Sequence, residues 1–364
     1  MSAAFEQARA HFMAGLQAQE AGQLDEAGAA YRASLVQVPG RASTLNNLGV
    51  VLAALGRDDE ALPCFEQSLA AEAADASTWV LLGQCQARLG QLNDALLSAD
   101  RALGHAPELA AAWALRGGVL KDLGRHREAA VALRKAMDLG ADPSLQAYLL
   151  ASIEGRNAPP QAPPHYVEQL FDGYADSFDQ HLVQGLEYRV PEALVQLLRQ
   201  HKPNFNEVLD LGCGTGLCGP LLRPLAQRLV GVDLSAGMLR HARQAACYDQ
   251  LVQTDVARHL HTTDGRPDAI VAADVFIYIG DLDAVFAGVR RVLKPGGLLA
   301  FSVEAADDTV DFELRPSSRY AQSARYVQAL AQRHGLVVEQ QEQTTLRLDQ
   351  RQPVAGLLFL LSAS

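Results

Sequence analysis

The amino-acid sequence predicts two domains, an all-α solenoid of helical pairs followed by an α/β domain built on a mostly parallel, seven-stranded sheet. Three observations predict this arrangement. Small residues recur every 34 positions in the first 140 residues, four prolines fall within residues 157–164, and a glycine-rich turn follows a short apolar run within residues 207–219. We therefore expect domains at 1–156 and 165–364, joined by an extended, semi-rigid linker at 157–164.

Length and composition exclude several classes of protein. The chain has 364 residues, 49 % of them hydrophobic and 20 % charged, with no run of eighteen apolar residues, so we expect a soluble protein without a membrane span. The net charge of −11 is spread over both halves, which argues against a nucleic-acid partner. Five cysteines without a CxxC pair predict neither a disulfide framework nor a metal site. The N-terminus shows no secretory signal, so we expect a cytoplasmic location.

The repeat is visible in three separate rows of small residues. The rows are Gly22, Gly56, Gly90 and Gly124; Gly15, Gly49, Gly83 and Gly117; and Ala27, Ala61, Ala95 and Ala129. A 34-residue period with helical patterning predicts two antiparallel helices per repeat, touching most closely at the small residues. The pattern resembles the tetratricopeptide repeat (TPR), and residues 144–154 are expected to form a closing helix. The resemblance implies protein recognition or self-association, including a possible homodimer.

The glycine-rich segment gives the strongest functional signal. An apolar run ending at Leu211 predicts a strand, Gly212, Gly214 and Gly216 predict a turn, and residues 217–229 have helical spacing. Glycines let the backbone turn sharply and let a ligand approach closely, and the N–H groups of a helix N-terminus attract an anion. A nucleotide-like ligand is therefore predicted. NAD is the weaker hypothesis, because Leu217 stands where a dinucleotide fingerprint requires its third glycine.

The run from Asp210 to Gly216 resembles the first motif of the class I methyltransferases, which use S-adenosylmethionine (SAM). The resemblance implies a Rossmann-like domain with SAM as its cofactor. Asp233 ends the second predicted strand about 20 residues after the glycine turn, where a carboxylate can accept from both ribose hydroxyls.

Further cofactor contacts follow from the same resemblance. It implies that Leu234 and Met238 flank the adenine, that Asp255 accepts from the adenine amino group and that the Val256 amide reaches a ring nitrogen. Asp274 ends the fourth predicted strand, at the sheet edge where open α/β sheets bind ligands. The predicted cofactor-binding set is Tyr174, Arg189, Asp210, Gly212, Cys213, Gly214, Gly216, Asp233, Leu234, Met238, Asp255, Val256 and Asp274.

Residues 165–200 precede the first strand and are rich in aromatic side chains. Phe171, Tyr174 and Phe178 recur at helical spacing, a pattern that is more often core than site. The segment also resembles the N-terminal lid helices of small class I methyltransferases, which fold over the cofactor. This implies that Tyr174 contacts the cofactor and that Arg189 holds the methionine carboxylate of SAM.

The remaining elements complete a seven-stranded sheet whose last strand is antiparallel. The predicted elements are strands at 268–273, 298–303, 344–348 and 354–361, and helices at 281–293 and 320–334. The last two strands are expected to form a hairpin with its turn at 350–353.

The predicted chemistry is methyl transfer to an acceptor that the sequence does not identify. The reaction is a displacement in which the enzyme mainly positions two reactants, and a carboxylate acceptor needs no base whereas an amine or hydroxyl can need one. We expect Tyr278 and His181 nearest the transferred methyl group, and Arg315, Arg319 and Tyr320 as possible contacts for an acidic substrate group.

Three hypotheses stay open for the whole chain. In the first, the repeats bring a protein or carrier-bound substrate to the methyltransferase. In the second, the enzyme methylates a small carboxylic acid or hydroxyl compound and the repeats only dimerise it. In the third, the chain is a non-catalytic scaffold.

Overall fold

The computed structural model describes residues 3–172, 188–349 and 352–364. The chain divides into two compact units, Met1–Ile153 and Glu154–Ser364, each with its own hydrophobic core. Our predictions for Tyr174, Phe178 and His181 fall outside the described residues. In the part of the chain that is described, no helix is both long enough and apolar enough to cross a bilayer.

The first unit is a series of helical pairs, which confirms the predicted solenoid. Each odd-numbered helix packs against the even-numbered helix that follows it, and α9 packs at the end of the series. The helices are α1 (Ala3–Glu20), α2 (Leu24–Gln37), α3 (Ala42–Ala54), α4 (Asp58–Ala71), α5 (Ala76–Arg88), α6 (Leu92–His105), α7 (Ala110–Asp122), α8 (His126–Asp138) and α9 (Pro143–Glu154).

The two rows of glycines have separate physical roles. In the row that begins at Gly22, each glycine follows the first helix of a pair and has a positive φ between +73° and +75°. Glycine adopts this conformation without steric cost. The other row lies where the helices touch. A Cβ on Gly49 would lie 2.7 Å from the buried ring of Phe65 on the next helix, so the glycine permits the close packing.

The second unit contains nine strands within its described residues. The strands are β1 (Phe205–Leu211), β2 (Ala226–Asp233), β3 (Gln250–Gln253), β4 (Ala269–Ala272), β5 (Leu298–Ala305), β6 (Phe312–Leu314), β7 (Tyr320–Gln322), β8 (Leu336–Asp349) and β9 (Gln352–Ala363). Hydrogen bonding gives the order β3-β2-β1-β4-β5, with parallel neighbours, followed by β9 antiparallel to β5 and β8 antiparallel to β9.

These seven strands agree with the predicted mostly parallel sheet and its antiparallel last strand, and a short hairpin is added to them. Strands β6 and β7 pair with each other, and β7 pairs in parallel with the carboxyl end of β5. The predicted helix at 320–334 is therefore wrong at its start, because residues 320–322 bond to β5 and the helix begins at Ala324. Strand β8 also begins at Leu336, eight residues before the predicted start at 344.

Two helices of the second unit precede β1, and the others connect the strands. They are α10 (Pro164–Asp172), α11 (Val190–His201), α12 (Gly219–Leu222), α13 (Ala236–Gln244), α14 (Val256–Thr262), α15 (Asp283–Val292) and α16 (Ala324–Arg333). The prediction of one helix over 217–229 is wrong. Pro220 lies in the first turn of the short α12, and Pro224 lies in a 3₁₀ turn that follows it. Because proline cannot donate the hydrogen bond that continues a helix, the chain enters β2 at Ala226.

Both faces of the sheet are covered, as expected for parallel strands. Ile270 and Phe301 belong to the core on one face, whereas their chain neighbours Val271 and Ala300 belong to the core on the other. The strand ends at Asp233 and Asp274 therefore lie at one edge of a rigid, doubly covered sheet.

Candidate functional site

Three glycines hold the turn after β1 in left-handed backbone conformations. Gly212, Gly214 and Gly216 have φ values of +61°, +55° and +98°. A Cβ on Gly212 would lie 2.5 Å from a methyl carbon of Val275, whereas a Cβ on Gly214 would meet no atom within 4 Å. The first glycine is thus required by packing, and the second borders open space.

Asp233, at the end of β2, is fixed against this turn by backbone amides. Gly214 N–H donates to its Oδ2 at 2.8 Å, and Ser235 N–H donates to its Oδ1 at 2.9 Å. The residue is only 9 % exposed, and burial raises its pKa above the ordinary value. The Leu234 amide also contacts this carboxylate. A carboxylate has about four acceptor positions, so Asp233 keeps capacity for a further donor.

Asp210 lies beneath the turn and is 1 % exposed. The Tyr248 hydroxyl donates to its Oδ2 at 2.7 Å. Burial raises the pKa of Asp210 to about 7, although the hydrogen bond from Tyr248 acts in the opposite direction and the nearby Asp233 adds to the increase. The protein therefore holds an acid that titrates near neutral pH under the glycine turn.

A cavity of about 740 Å³ opens above the glycine turn. The predicted cofactor-binding residues that line it are Gly212, Cys213, Gly214, Asp233, Leu234, Met238, Asp255, Val256 and Asp274, and Tyr278 lines it as well. The fold thus brings together one wall from four separate loops at the carboxyl ends of the strands.

Three of the predicted site residues do not line this cavity. Asp210 is buried at the end of β1, and Gly216 is the buried last glycine of the turn. Arg189, the residue before α11, is exposed, whereas its neighbours Tyr188 and Val190 are buried. The predicted contact with the methionine carboxylate requires Arg189 at the cavity wall, but Arg189 does not line the described cavity. The predicted residues Tyr174 and His181 lie outside the described part of the chain.

Asp255 and Asp172 support the helices at the adenine side of the predicted site. Asp255 caps α14 by accepting from Arg258 N–H at 2.9 Å, so one carboxylate oxygen has a structural role. Asp172 ends α10 and accepts from the Ser235 hydroxyl and from Gly237 N–H. This contact joins α10 to the start of α13, and it was not predicted.

A second part of the wall combines aromatic, apolar and charged side chains. Phe171 packs edge-to-face on Tyr278, with ring centroids 5.5 Å apart. Burial raises the pKa of the Tyr278 phenol above its ordinary value, although the adjacent Arg319 guanidinium acts in the opposite direction. Arg319 also donates to Asp349 at 3.1 Å, and both residues line the cavity. The phenol therefore stays protonated at neutral pH.

Asp274 is neutralised by a buried arginine that sequence reasoning missed. Arg347, on β8, is paired with Oδ2 of Asp274 at 2.5 Å and with the carboxylate of Glu304. The Ser302 hydroxyl donates to the other oxygen of Asp274 at 2.9 Å. The Arg347 side chain is only 2 % exposed. Both oxygens of Asp274 therefore carry strong donors in this structure.

The proline-rich segment forms another part of the cavity wall. Ala162 N–H donates to the Tyr278 carbonyl at 2.9 Å, and Gly280 N–H donates to the Pro160 carbonyl at 2.9 Å. Gln161 pairs with Ile279 as an antiparallel bridge. The segment is extended, as the prolines predict, but it packs on the second unit and is not a free spacer.

Matches to known families agree with this division of the chain. Residues 209–301 match a family described as a methyltransferase domain. Residues 40–108 and 110–142 match families described as tetratricopeptide repeats.

Three curated relatives are similar to this chain over 38 % to 48 % of its length. Each is named malonyl-[acyl-carrier protein] O-methyltransferase. The protein from Yersinia pestis is 34 % identical over 38 % of this chain and 50 % of its own length, and that from Geobacter sulfurreducens is 34 % identical over 43 % and 58 %. The protein from Serratia marcescens is 30 % identical over 48 % of this chain and 69 % of its own length. The chain belongs to the SAM-dependent methyltransferase family.

These matches confirm two predictions. The chain combines tetratricopeptide repeats with a methyltransferase domain, and the family of that domain uses SAM as its cofactor. The methyltransferase match spans about half to two thirds of the length of these relatives.

Proposed function

We propose that the chain transfers a methyl group from SAM to a carboxylate on a carrier-bound acyl group, and that the TPR unit recruits the carrier. The observation that carries the proposal is the fixed carboxylate of Asp233 in the cavity wall. The amides of Gly214 and Ser235 hold it, the Leu234 amide adds a further contact, and its remaining acceptor capacity suits the hydroxyls of a ribose.

The rest of the wall fits the other parts of the cofactor. Leu234 and Met238 supply apolar surface for the two faces of an adenine ring. Asp255 keeps one carboxylate oxygen for the adenine amino group, since the other caps α14. Val256 is the first residue of α14, and a first-turn amide has no intrahelical partner, so this N–H can donate to a ring nitrogen.

The wall also favours an acceptor that is already deprotonated. When bound, SAM supplies a methyl group already activated on a positive sulfonium. Asp274 is engaged by Arg347 and Ser302, and burial keeps the Tyr278 phenol protonated. Neither group is suited to act as a general base. A carboxylate acceptor needs no general base, so it fits the residues of the described wall.

The names of the curated relatives support the same acceptor class. The relatives described above are named for O-methylation of an acid carried by a protein. A TPR array provides a recognition surface for such a carrier. The alternative is a free carboxylic acid as acceptor, with the TPR unit serving to dimerise the enzyme.

Cofactor binding is tested by calorimetric titration of SAM, and separately of NAD, into the full chain. We expect SAM to bind and NAD not to bind. Asp233→Ala should weaken SAM binding about a hundredfold, because two charge-assisted hydrogen bonds are lost. Asp264→Ala, which removes an exposed carboxylate outside the cavity, should leave the affinity unchanged. Unchanged SAM binding in Asp233→Ala would refute the site.

The acceptor class is tested with methyl-labelled SAM and a cell extract. Label on a protein band that is released by mild alkali, as a methyl ester is, would support a carrier-bound carboxylate. Alkali-labile label in small metabolites would favour the alternative. Alkali-stable label would exclude both.

A further inference from the structure

We infer that Arg319 is the residue that binds the acceptor carboxylate and selects for it. The inference rests on the proposed function and adds a specificity-determining residue. Arg319 lies directly before β7, in the hairpin that is added to the sheet, and it lines the cavity beside Tyr278. Its charge and position are what an anionic acceptor requires.

The other arginines nearby are already bound to carboxylates of the protein. Arg347 also lines the cavity, but its two terminal nitrogens are taken by Asp274 and Glu304. Arg315 donates to Glu304, Glu313 and the Ala305 carbonyl, and it does not line the cavity.

Arg319 differs from Arg347 because its side chain is more accessible to a ligand. A guanidinium has five N–H groups in a planar fork, and Arg319 is engaged with Asp349 and Tyr278. Its side chain is 28 % exposed, against 2 % for Arg347. The Asp349 side chain is 43 % exposed, and ion pairs that face solvent are weak. An incoming carboxylate can therefore share the guanidinium with Asp349 or displace it.

The backbone around Arg319 is held in place before any ligand binds. The Arg319 carbonyl accepts from Arg315 N–H at 2.9 Å, closing the turn between β6 and β7. The Tyr320 hydroxyl donates to the Pro159 carbonyl at 2.6 Å, so the proline-rich segment supports the same strand. Such preorganisation lowers the entropy cost of holding an acceptor in one orientation.

The assigned contact is compatible with the reaction. One oxygen of the acceptor carboxylate forms the new bond to the methyl carbon as the carbon–sulfur bond breaks, and that bond pair stays on sulfur. The products are a methyl ester and the neutral thioether S-adenosylhomocysteine, and no proton moves. Arg319 binds the carboxylate and leaves the attacking oxygen ionised.

The test measures binding of defined probes to the full chain saturated with S-adenosylhomocysteine. The probes are the malonyl, succinyl and glutaryl thioesters of N-acetylcysteamine, each compared with its own methyl ester. For at least one chain length, we expect the acid to bind ten to a hundred times more tightly than the ester, the usual range for a charge-assisted contact. Arg319→Gln should abolish that difference, and Arg319→Lys should retain part of it.

Two further variants make the test specific. Asp349→Asn frees Arg319 and should tighten binding of the acid by up to about fivefold, without changing binding of the ester. Arg325→Gln removes an exposed arginine that pairs with Asp311 outside the cavity, and it should have no effect. Binding of S-adenosylhomocysteine should be unchanged in all four variants, which shows that they are folded.

The outcomes separate this inference from the proposed function. If the wild-type chain does not bind S-adenosylhomocysteine, the proposed function fails. If it binds S-adenosylhomocysteine but does not distinguish acid from ester at any length, or if Arg319→Gln keeps the distinction, the assignment of Arg319 alone is overturned.

Discussion

Replacing Asp210 with asparagine should stabilise the second unit at high pH but not at low pH. The carboxyl is 1 % exposed, and burial raises its pKa from 3.8 to about 7. An acid with a raised pKa in the folded state contributes no penalty below the unfolded pKa. Its penalty then grows with pH up to the folded pKa and is constant above it.

The size of the effect follows from this shift. Each unit of pKa shift corresponds to about 1.4 kcal/mol, so the penalty grows by about 2.5 kcal/mol between pH 5 and pH 8. The asparagine side chain of the variant cannot ionise, and its amide oxygen can still accept from Tyr248. Any loss of packing in the variant is independent of pH, so the change with pH isolates the carboxyl group.

The assay must report on the second unit alone. Both tryptophans, Trp79 and Trp113, lie in the first unit, so tryptophan fluorescence does not report unfolding of the second unit. Urea unfolding with pulsed hydrogen exchange and mass spectrometry gives the unfolded fraction for peptides of β1 and β4. The free-energy difference between Asp210→Asn and wild type should rise by about 2.5 kcal/mol from pH 5 to pH 8. A difference that does not vary with pH would refute the reasoning.

Three glycine substitutions should separate backbone strain, packing and ligand access. Gly214→Ala meets no atom within 4 Å but has φ of +55°, so it should destabilise the second unit by about 1–2 kcal/mol and weaken SAM binding, as measured by pulsed exchange and calorimetry. Gly212→Ala adds a contact of 2.5 Å with Val275 and should cost about 1–3 kcal/mol more in the same unfolding assay. Gly49→Ala would crowd the Phe65 ring at 2.7 Å, so tryptophan-monitored unfolding should show a loss of about 1–3 kcal/mol with SAM affinity unchanged.

The parts of the fold that sequence could predict are those fixed by local chemistry. A 34-residue period of glycines predicted the helical pairs because each glycine either ends a helix with positive φ or permits contact between helices. The glycine turn and Asp233 were predictable for a similar reason, since a strand, a turn and an acid about 20 residues later occupy one sheet edge.

The parts that were missed depend on contacts between distant segments. Arg347 is separated from Asp274 by 73 residues, and a lone arginine in a polar strand is usually exposed. The proline-rich segment is extended in either case, so its composition does not reveal that Pro160 accepts from Gly280. Arg189 was predicted from a motif position, but the burial of its two neighbours decides where its side chain lies.

The charges in the cavity wall suit a cationic donor and an anionic acceptor together. The carboxylates that line it are Asp233, Asp255, Asp274 and Asp349. Arg347 pairs with Asp274 and Arg319 pairs with Asp349. The carboxylates of Asp233 and Asp255 favour a positive sulfonium, whereas Arg319 favours a negative group beside it. Attraction between the two reactants then helps to bring the acceptor oxygen to the methyl carbon. A neutral acceptor would not gain the charge–charge attraction to Arg319, so the charge pattern supports the proposed anionic acceptor.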